Sequence, residues 1–238
     1  MSGRARFYGV GVGPGDPELM TVKACRVIGA APVIAYPQLG GAPSTARQIA
    51  AGWLNGGQRE IVMRVPLGSG AARAAAYDVA AGEIAEALEG GASVAILCEG
   101  DPLVYGSFIA LWERLRPRFE CEIIPGISSI LAGPARLAMP LVRGDDCLSV
   151  VPGTLDDAAL ERRLVGDGSV AIVKVGRHAG RLKALIGRLG LMQRAHYIER
   201  ATLASERQMP LAALDAAEAP YFSMIVIAGG RREQRERA

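Results

Sequence analysis

Two Gly-Asp-Pro triplets stand in matching contexts, Gly15-Asp16-Pro17 and Gly100-Asp101-Pro102. The first follows the apolar run 7–13 and the second follows 94–98, and each opens a helix-like stretch. An aspartate at such a position accepts hydrogen bonds from the unpaired amides of a first helical turn. Proline suits the first helical position because its missing N–H is not needed there. Both triplets therefore mark strand-to-helix corners at the carboxyl ends of strands, where open α/β sheets bind ligands. The second corner is the richer one, because Glu99 places a further carboxylate just before Gly100 and Tyr105-Gly106-Ser107-Phe108 follows. A third corner, Pro125-Gly126-Ile127-Ser128-Ser129, carries small polar residues after the apolar pair Ile123-Ile124.

Alternating strands and helices must position these corners. The pattern predicts strands near 6–12, 32–36, 60–65, 93–98, 120–124, 147–152, 169–175, 194–199 and 222–228. Helices are expected near 17–30, 44–55, 71–89, 102–116, 127–138, 156–165 and 178–189, with a further piece near 205–215. Such alternation implies βαβ units in an α/β fold with mixed, mainly parallel sheets. A break rich in proline, glycine and charge falls near 137–147. Two α/β domains follow, 1–116 and 144–238, with 117–143 crossing between them; five strands precede the break and four follow it.

Composition narrows the functional classes. The chain has 238 residues and is 50% hydrophobic, enough to bury a large core. Its net charge is +3, and the tail Arg231, Arg232, Glu233, Arg235, Glu236, Arg237 supplies much of that, so the body is nearly neutral. No pervasive basic face for nucleic acid is expected, and the tail reads as a solvated, frayed end. Cys25, Cys98, Cys121 and Cys147 are far apart, with neither His178 nor His196 near them in sequence. Structural zinc is not expected, and the cysteines read as small buried hydrophobes. No apolar stretch approaches ~20 residues, so no membrane span is expected, and residues 1–6 lack the apolar segment of a signal peptide. A cytoplasmic location is the expectation from these features.

The glycine-rich run Gly9-Val10-Gly11-Val12-Gly13-Pro14-Gly15-Asp16 does not fit a dinucleotide fingerprint. Counted from Gly9 the third glycine is Pro14, and counted from Gly11 it is Asp16. Asp16 at the helix start also repels a pyrophosphate. No phosphate-binding G-x-x-x-x-G-K-[ST] motif occurs.

The set as a whole resembles the tetrapyrrole methylase superfamily. The residues that carry the resemblance are 11–18, 99–108 and 125–129, supported by Val33-Ile34-Ala35-Tyr36-Pro37, Lys174-Val175-Gly176-Arg177 and Glu199-Arg200-Ala201-Thr202. They span nearly the whole chain. Tyr36-Pro37 and Tyr105-Gly106-Ser107-Phe108 are similar to members that methylate precorrin-2 at C20 in cobalamin biosynthesis. The resemblance implies a homodimer that binds S-adenosylmethionine (SAM) in a cleft between the domains and leaves S-adenosylhomocysteine as product. It implies a tetrapyrrole in an adjoining trough of the N-terminal domain, with no metal, nucleic acid or membrane partner. By motif match, Pro14, Glu99, Gly100, Asp101, Val104, Tyr105, Ser128, Ser129, Val175, Ala201 and Ala228 line the donor site. Gly11 and Gly13 help form the trough, and Arg47, Arg64, Arg143 and Arg177 are candidates to pair with the substrate's carboxylates. Asp16, Tyr36, Asp101 and Tyr105 are the catalytic candidates, with Glu99 a further candidate base. A cobalt-bearing substrate, another corrin or uroporphyrinogen substrate, and a non-catalytic ligand-binding module remain the alternatives.

Overall fold

Short runs of branched and small apolar residues build the first sheet from β1 (Arg6–Gly11), β2 (Val33–Leu39), β3 (Arg59–Val65), β4 (Val94–Cys98) and β5 (Glu120–Ile124). They lie in the order β3-β2-β4-β1-β5, and every pairing is parallel. Every residue of β4 is buried, as a continuous apolar run must be when both faces of a parallel sheet are covered. Helices α1 (Val22–Ala30) and α2 (Thr45–Ile49) cover one face, where Ile28 and Ile49 meet Val10, Ile34 and Leu97. Helices α3 (Ala71–Glu89) and α4 (Phe108–Leu115) cover the other, where Ile84 and Leu111 meet Phe7, Ile61 and Ile96. Because the strands are parallel, all five carboxyl ends point to one edge.

The computed structural model describes residues 5–68 and 70–229, and the chain divides into two compact units, Met1–Ser128 and Ser129–Ala238. The arginine-rich tail 231–238 and residues 1–4 lie outside the described residues. The second unit contains α5 (Ser129–Arg136), β6 (Leu148–Pro152), α6 (Asp157–Leu164), β7 (Ser169–Val173), α7 (Ala179–Arg188), β8 (Ala195–Glu199), β9 (Arg207–Pro210) and β10 (Ser223–Ile227). Its sheet runs β6-β7-β10-β8-β9. Only β6 and β7 pair in parallel; β10 runs antiparallel to both β7 and β8, and β9 antiparallel to β8. Leu160, Leu182 and Ile186 pack on one face of this sheet, and Ile130 of α5 packs on the other. The segment 117–143 is divided: β5 is the edge of the first sheet, and α5 packs in the second unit.

Several expected elements differ. The helix piece at 205–215 is instead β9 followed by a 3-10 turn, so the second sheet has five strands rather than four. The pairing with β8 decides this, since residues 207–210 have no periodic apolar pattern of their own. The helix expected over 102–116 begins only at Phe108, because Tyr105 adopts φ +56°, which no α-helix allows. The helix over 44–55 is α2 and a separate 3-10 turn, and β2 continues through Pro37 to Leu39. Cys25 and Cys98 are buried as expected, but Cys147 is exposed.

The ends of β1, β4 and β5 are packed backbone on backbone. A Cβ on Gly11 would stand 2.5 Å from Gly126 N and 2.7 Å from Gly100 O. A Cβ on Gly126 would stand 2.1 Å from Gly100 O and 2.7 Å from Gly11 Cα. No side chain fits either place, and the neighbours are main chain that cannot swing aside. Gly126→Ala is therefore expected to lower the unfolding free energy by at least ~3 kcal/mol, a loss in the severe class for overpacking. Gly82→Ala, in open space on the exposed side of α3, should raise it by about 0.5–1 kcal/mol. Paired denaturant titrations of the two variants check both signs.

Candidate functional site

The two Gly-Asp-Pro corners meet directly. Val12 N–H donates to Cys98 O at 2.9 Å, Gly13 N–H to Gly100 O at 3.3 Å, and Gly100 N–H back to Gly13 O at 2.7 Å. The chain leaving β1 is thus bridged to the chain leaving β4, with Gly13 and Gly100 both at positive φ. Pro14 follows, half-buried. Asp101 joins the third corner to this pair. Its Oδ2 accepts from Gly126 N–H at 3.1 Å and its Oδ1 from Leu103 N–H at 2.9 Å. The expected helix cap is corrected here: Asp101 closes a tight turn seven residues before the start of α4, and Ser107 occupies the cap position there without a side-chain hydrogen bond. Asp16 likewise caps a 3-10 turn, Pro17–Leu19, while Thr21 caps α1.

Glu99 stands between Cys98 and Gly100, half-buried, with Oε1 accepting from Ala46 N–H at 3.2 Å. Burial pushes its carboxyl above the ordinary carboxylate value, and hydrogen bonds from backbone amides pull it back only in part. Both carboxylates at this corner are satisfied by amides. Among the described residues, neither forms an ion pair with an arginine or lysine. The β4 corner thus carries two acidic groups without a countercharge, which suits a cationic ligand group. The loop beyond presents Val104 at 38% and Tyr105 at 48% exposure.

Tyr36 and Arg47 are drawn into a separate network by a residue the motifs did not flag. The Tyr36 hydroxyl donates to Glu60 Oε2 at 2.5 Å, while Arg47 grips the same carboxylate with Nε at 2.9 Å and Nη2 at 2.8 Å. Arg47 and Tyr36 together hold the Glu60 carboxyl below its ordinary value, with the arginine the larger influence. Burial, then Glu60, raises the Tyr36 hydroxyl. Arg47 is therefore engaged bidentately by the protein's own carboxylate. Only the β2–β3 register, which sets Ile34 beside Glu60, reveals this. Arg64 lies further along β3, exposed and level with Gln38.

In the second unit, the ends of β7 and β8 and the start of β10 share one edge, since Ser223 pairs with Glu199 and its Oγ accepts from Gly176 N–H at 3.1 Å. Val175 and Ala201 are at this edge, although the Val175 side chain is fully buried in the core. Ala228 is not: it follows the far end of β10, where its N–H donates to Arg194 O at 3.1 Å. The antiparallel course of β10 separates it from the other two, so it is corrected from their group. Ser128 is half-buried and Ser129 opens α5, exposed. Arg143 is exposed in a turn closed by its own amide on Asp146, at 3.0 Å. Arg177 is exposed beside His178. The edge also holds Glu199, buried beneath the Tyr197 hydroxyl at 2.6 Å and Arg207 Nε at 2.9 Å. Its place in Glu199-Arg200-Ala201-Thr202 and at the end of an apolar strand were its signals in the sequence.

A profile of the family described as Tetrapyrrole (Corrin/Porphyrin) Methylases matches residues 6–215. The chain belongs to the tetrapyrrole methylase family. A relative from a Sinorhizobium species named precorrin-2 C(20)-methyltransferase is 39% identical over 95% of this chain and 96% of its own. The cobalamin biosynthesis protein CobIJ of Mycobacterium tuberculosis is 44% identical over 98% of this chain. That match takes in 47% of CobIJ, so the chain spans about half the length of these relatives. A cobalt-precorrin-2 C(20)-methyltransferase of Salmonella typhimurium is 31% identical over 93% of this chain and 95% of its own. Among solved structures, the cobalt precorrin-4 methyltransferase CbiF shares the fold with a TM-score of 0.76 at 19% identity, covering 96% of both chains. A Thermus thermophilus uroporphyrin-III C-methyl transferase complexed with S-adenyl homocysteine does so at 0.69 and 23%, covering 94% and 97%. The family assignment and the two-sheet α/β architecture agree with the reading of the sequence.

Glu99, without a cation partner among the described residues, has a stability signature. A carboxyl raised in the folded state favours folding when protonated, and that contribution is lost as pH rises through its folded value. Glu99→Gln should therefore be more stable than the wild type at pH 7. The advantage should shrink as pH falls through the raised folded value and be gone below the ordinary value of 4.5. Thermal unfolding of both proteins from pH 3.5 to 8 checks the sign.

Proposed function

We propose that this chain is a SAM-dependent C-methyltransferase that methylates precorrin-2 at C20, giving precorrin-3A in cobalamin biosynthesis. The end-to-end match at 39% identity to the Sinorhizobium enzyme carries the reading. The corner geometry supports it: SAM brings a sulfonium and an ammonium, and the β4 corner offers Glu99 and Asp101 without a countercharge. Bound SAM supplies an activated methyl group and its own leaving group. The protein's part is to align, to neutralise charge and to exclude water.

We assign Pro14, Glu99, Gly100, Asp101, Val104, Tyr105, Ser128 and Ser129 to donor contacts, with Val175 acting through its backbone and Ala201 through the loop after β8. Glu99 and Asp101 hold the cationic end. Asp101 also keeps Gly126 against the β4 corner through its second oxygen. Gly11 and Gly13 keep the strand end free of side chains where a flat macrocycle must approach. Tyr36 is a positioning group in this reading, since its proton is already donated to Glu60. Asp16 is assigned to receive the proton released as the macrocycle carbon takes the methyl group, with Tyr105 bordering the ring. Arg64, Arg143 and Arg177, all exposed, are assigned to the substrate's carboxylates, and Arg47 acts by fixing Glu60. The reading extends to a cytoplasmic homodimer that uses no metal, nucleic acid or membrane partner. No helix among the described residues is long and apolar enough to cross a membrane. Among them, no group of three or more His, Cys, Asp or Glu side chains is placed to hold a metal ion.

Incubation with methyl-labelled SAM and either precorrin-2 or its cobalt complex tests the substrate. One methyl gained by metal-free precorrin-2 is expected, and methylation confined to the cobalt complex overturns that choice. Calorimetry tests the donor contacts. Glu99→Gln should weaken SAM about tenfold, the scale of one charge-assisted interaction. It should weaken S-adenosylhomocysteine, which lacks the sulfonium charge, clearly less. Equal losses for both ligands would move Glu99 away from the sulfonium.

A further inference from the structure

The loop that follows β8 is tied back to α5 by one carboxylate. Glu206 Oε2 accepts from Thr202 N–H at 2.7 Å, and Arg136 Nε, in the last turn of α5, reaches both Glu206 oxygens at 3.0 Å. The Glu206 side chain is 11% exposed and that of Arg136 55%. The loop needs holding. Arg200 and Thr202 adopt φ +49° and +69°, and a β-branched residue rarely takes the left-handed conformation. Two successive turns, Leu203 N–H to Arg200 O and Glu206 N–H to Leu203 O, both at 2.9 Å, bring the carboxylate back under the Thr202 amide. The helix α5 packs on β10, with Ile130 and Gly133 against Met224. Ala201 sits in the middle of this loop, and Ser129 at the opposite end of α5 from Arg136.

We propose that Arg136 and Glu206 are positioning residues for the methyl donor. Together they hold the 200–202 loop in its left-handed conformation and in register with α5, so that two donor-contacting segments keep one spacing. The proposal rests on the assignment of Ala201 and Ser129 to donor contacts. Neither side chain of the pair belongs to the motifs that carried the family resemblance. The charge of Arg136 acts through Glu206, and Glu206 acts through the Thr202 amide. The amide bond and the ion pair are therefore separable: Glu206→Gln keeps an acceptor for Thr202 but loses the charge, while Glu206→Ala loses both.

Calorimetric titration with S-adenosylhomocysteine, using the full chain, tests this. Glu206→Ala and Arg136→Ala should raise its Kd about tenfold, and the double variant should be little worse than Glu206→Ala alone, as expected for residues acting as one unit. Glu206→Gln, which keeps the Thr202 bond but loses the ion pair, should weaken binding about as much as Arg136→Ala. Steady-state kinetics should show a raised KM for SAM with kcat and the tetrapyrrole KM unchanged, a split that general loss of folded protein does not produce. Wild-type affinity in folded Glu206→Ala and Arg136→Ala proteins would overturn the proposal. If Glu206→Ala does not fold, Arg136→Ala and Arg136→Lys decide it by the same titration. A wild-type protein that takes up no S-adenosylhomocysteine would overturn the donor assignment itself, and this proposal with it. Binding by the wild type with equal binding by the variants would overturn the positioning role alone.

Discussion

Three glycines, Gly11, Gly100 and Gly126, touch through their main chains where β1, β4 and β5 end. That contact sets the first unit's chemistry, because it draws three strand ends closer than any side chain would permit. The exposed surface at this edge is therefore made of peptide groups and of the residues that immediately follow. Asp101 is the fastener: one oxygen takes the Gly126 amide and the other the Leu103 amide. A protein interior seldom leaves main-chain donors without acceptors, and here a carboxylate does the work that strand pairing no longer can. The same arrangement concentrates negative charge beside a backbone-lined surface, which is the combination a small cationic ligand needs.

Two other carboxylates organise their surroundings by gathering arginines and a tyrosine hydroxyl. Glu60 collects Tyr36 from β2 and Arg47 from α2, and so binds an edge strand to the helix above it. Glu199 collects Tyr197, Arg207 and, at 3.6 Å, Arg200 at the rim of the second sheet. These groups are locked. Glu99 differs, because it has amides and no cation, and burial leaves its charge only partly compensated. The contrast sets Glu99 apart as the one of these three carboxylates without a cation partner among the described residues.

Much of the framework was legible because strand ends are punctuated. Cys98-Glu99-Gly100 and Ile124-Pro125-Gly126 change character within two residues, and β4 and β5 stop there. What escaped was everything that depends on register or on strand direction. Arg47 reads as an exposed cation awaiting a carboxylate until β3 is laid beside β2, which puts Glu60 within reach. Ala228 reads as a neighbour of Val175 until β10 is seen to run against β7. Residues 207–210 take strand form only because β8 offers an unpaired edge. Loop geometry escaped for a local reason: nothing in Val104-Tyr105-Gly106 announces that Tyr105, rather than the glycine after it, takes the positive φ.

The short strand at the rim of the second sheet has one further effect. Its four residues are Arg207, Gln208, Met209 and Pro210. The arginine is bound to Glu199, and the proline offers no amide proton to a newcomer. A sheet that ends this way is a poor template for another molecule's backbone. During synthesis and refolding, when the polypeptide is crowded by copies of itself, that border discourages the edge-to-edge stacking through which mixed sheets precipitate.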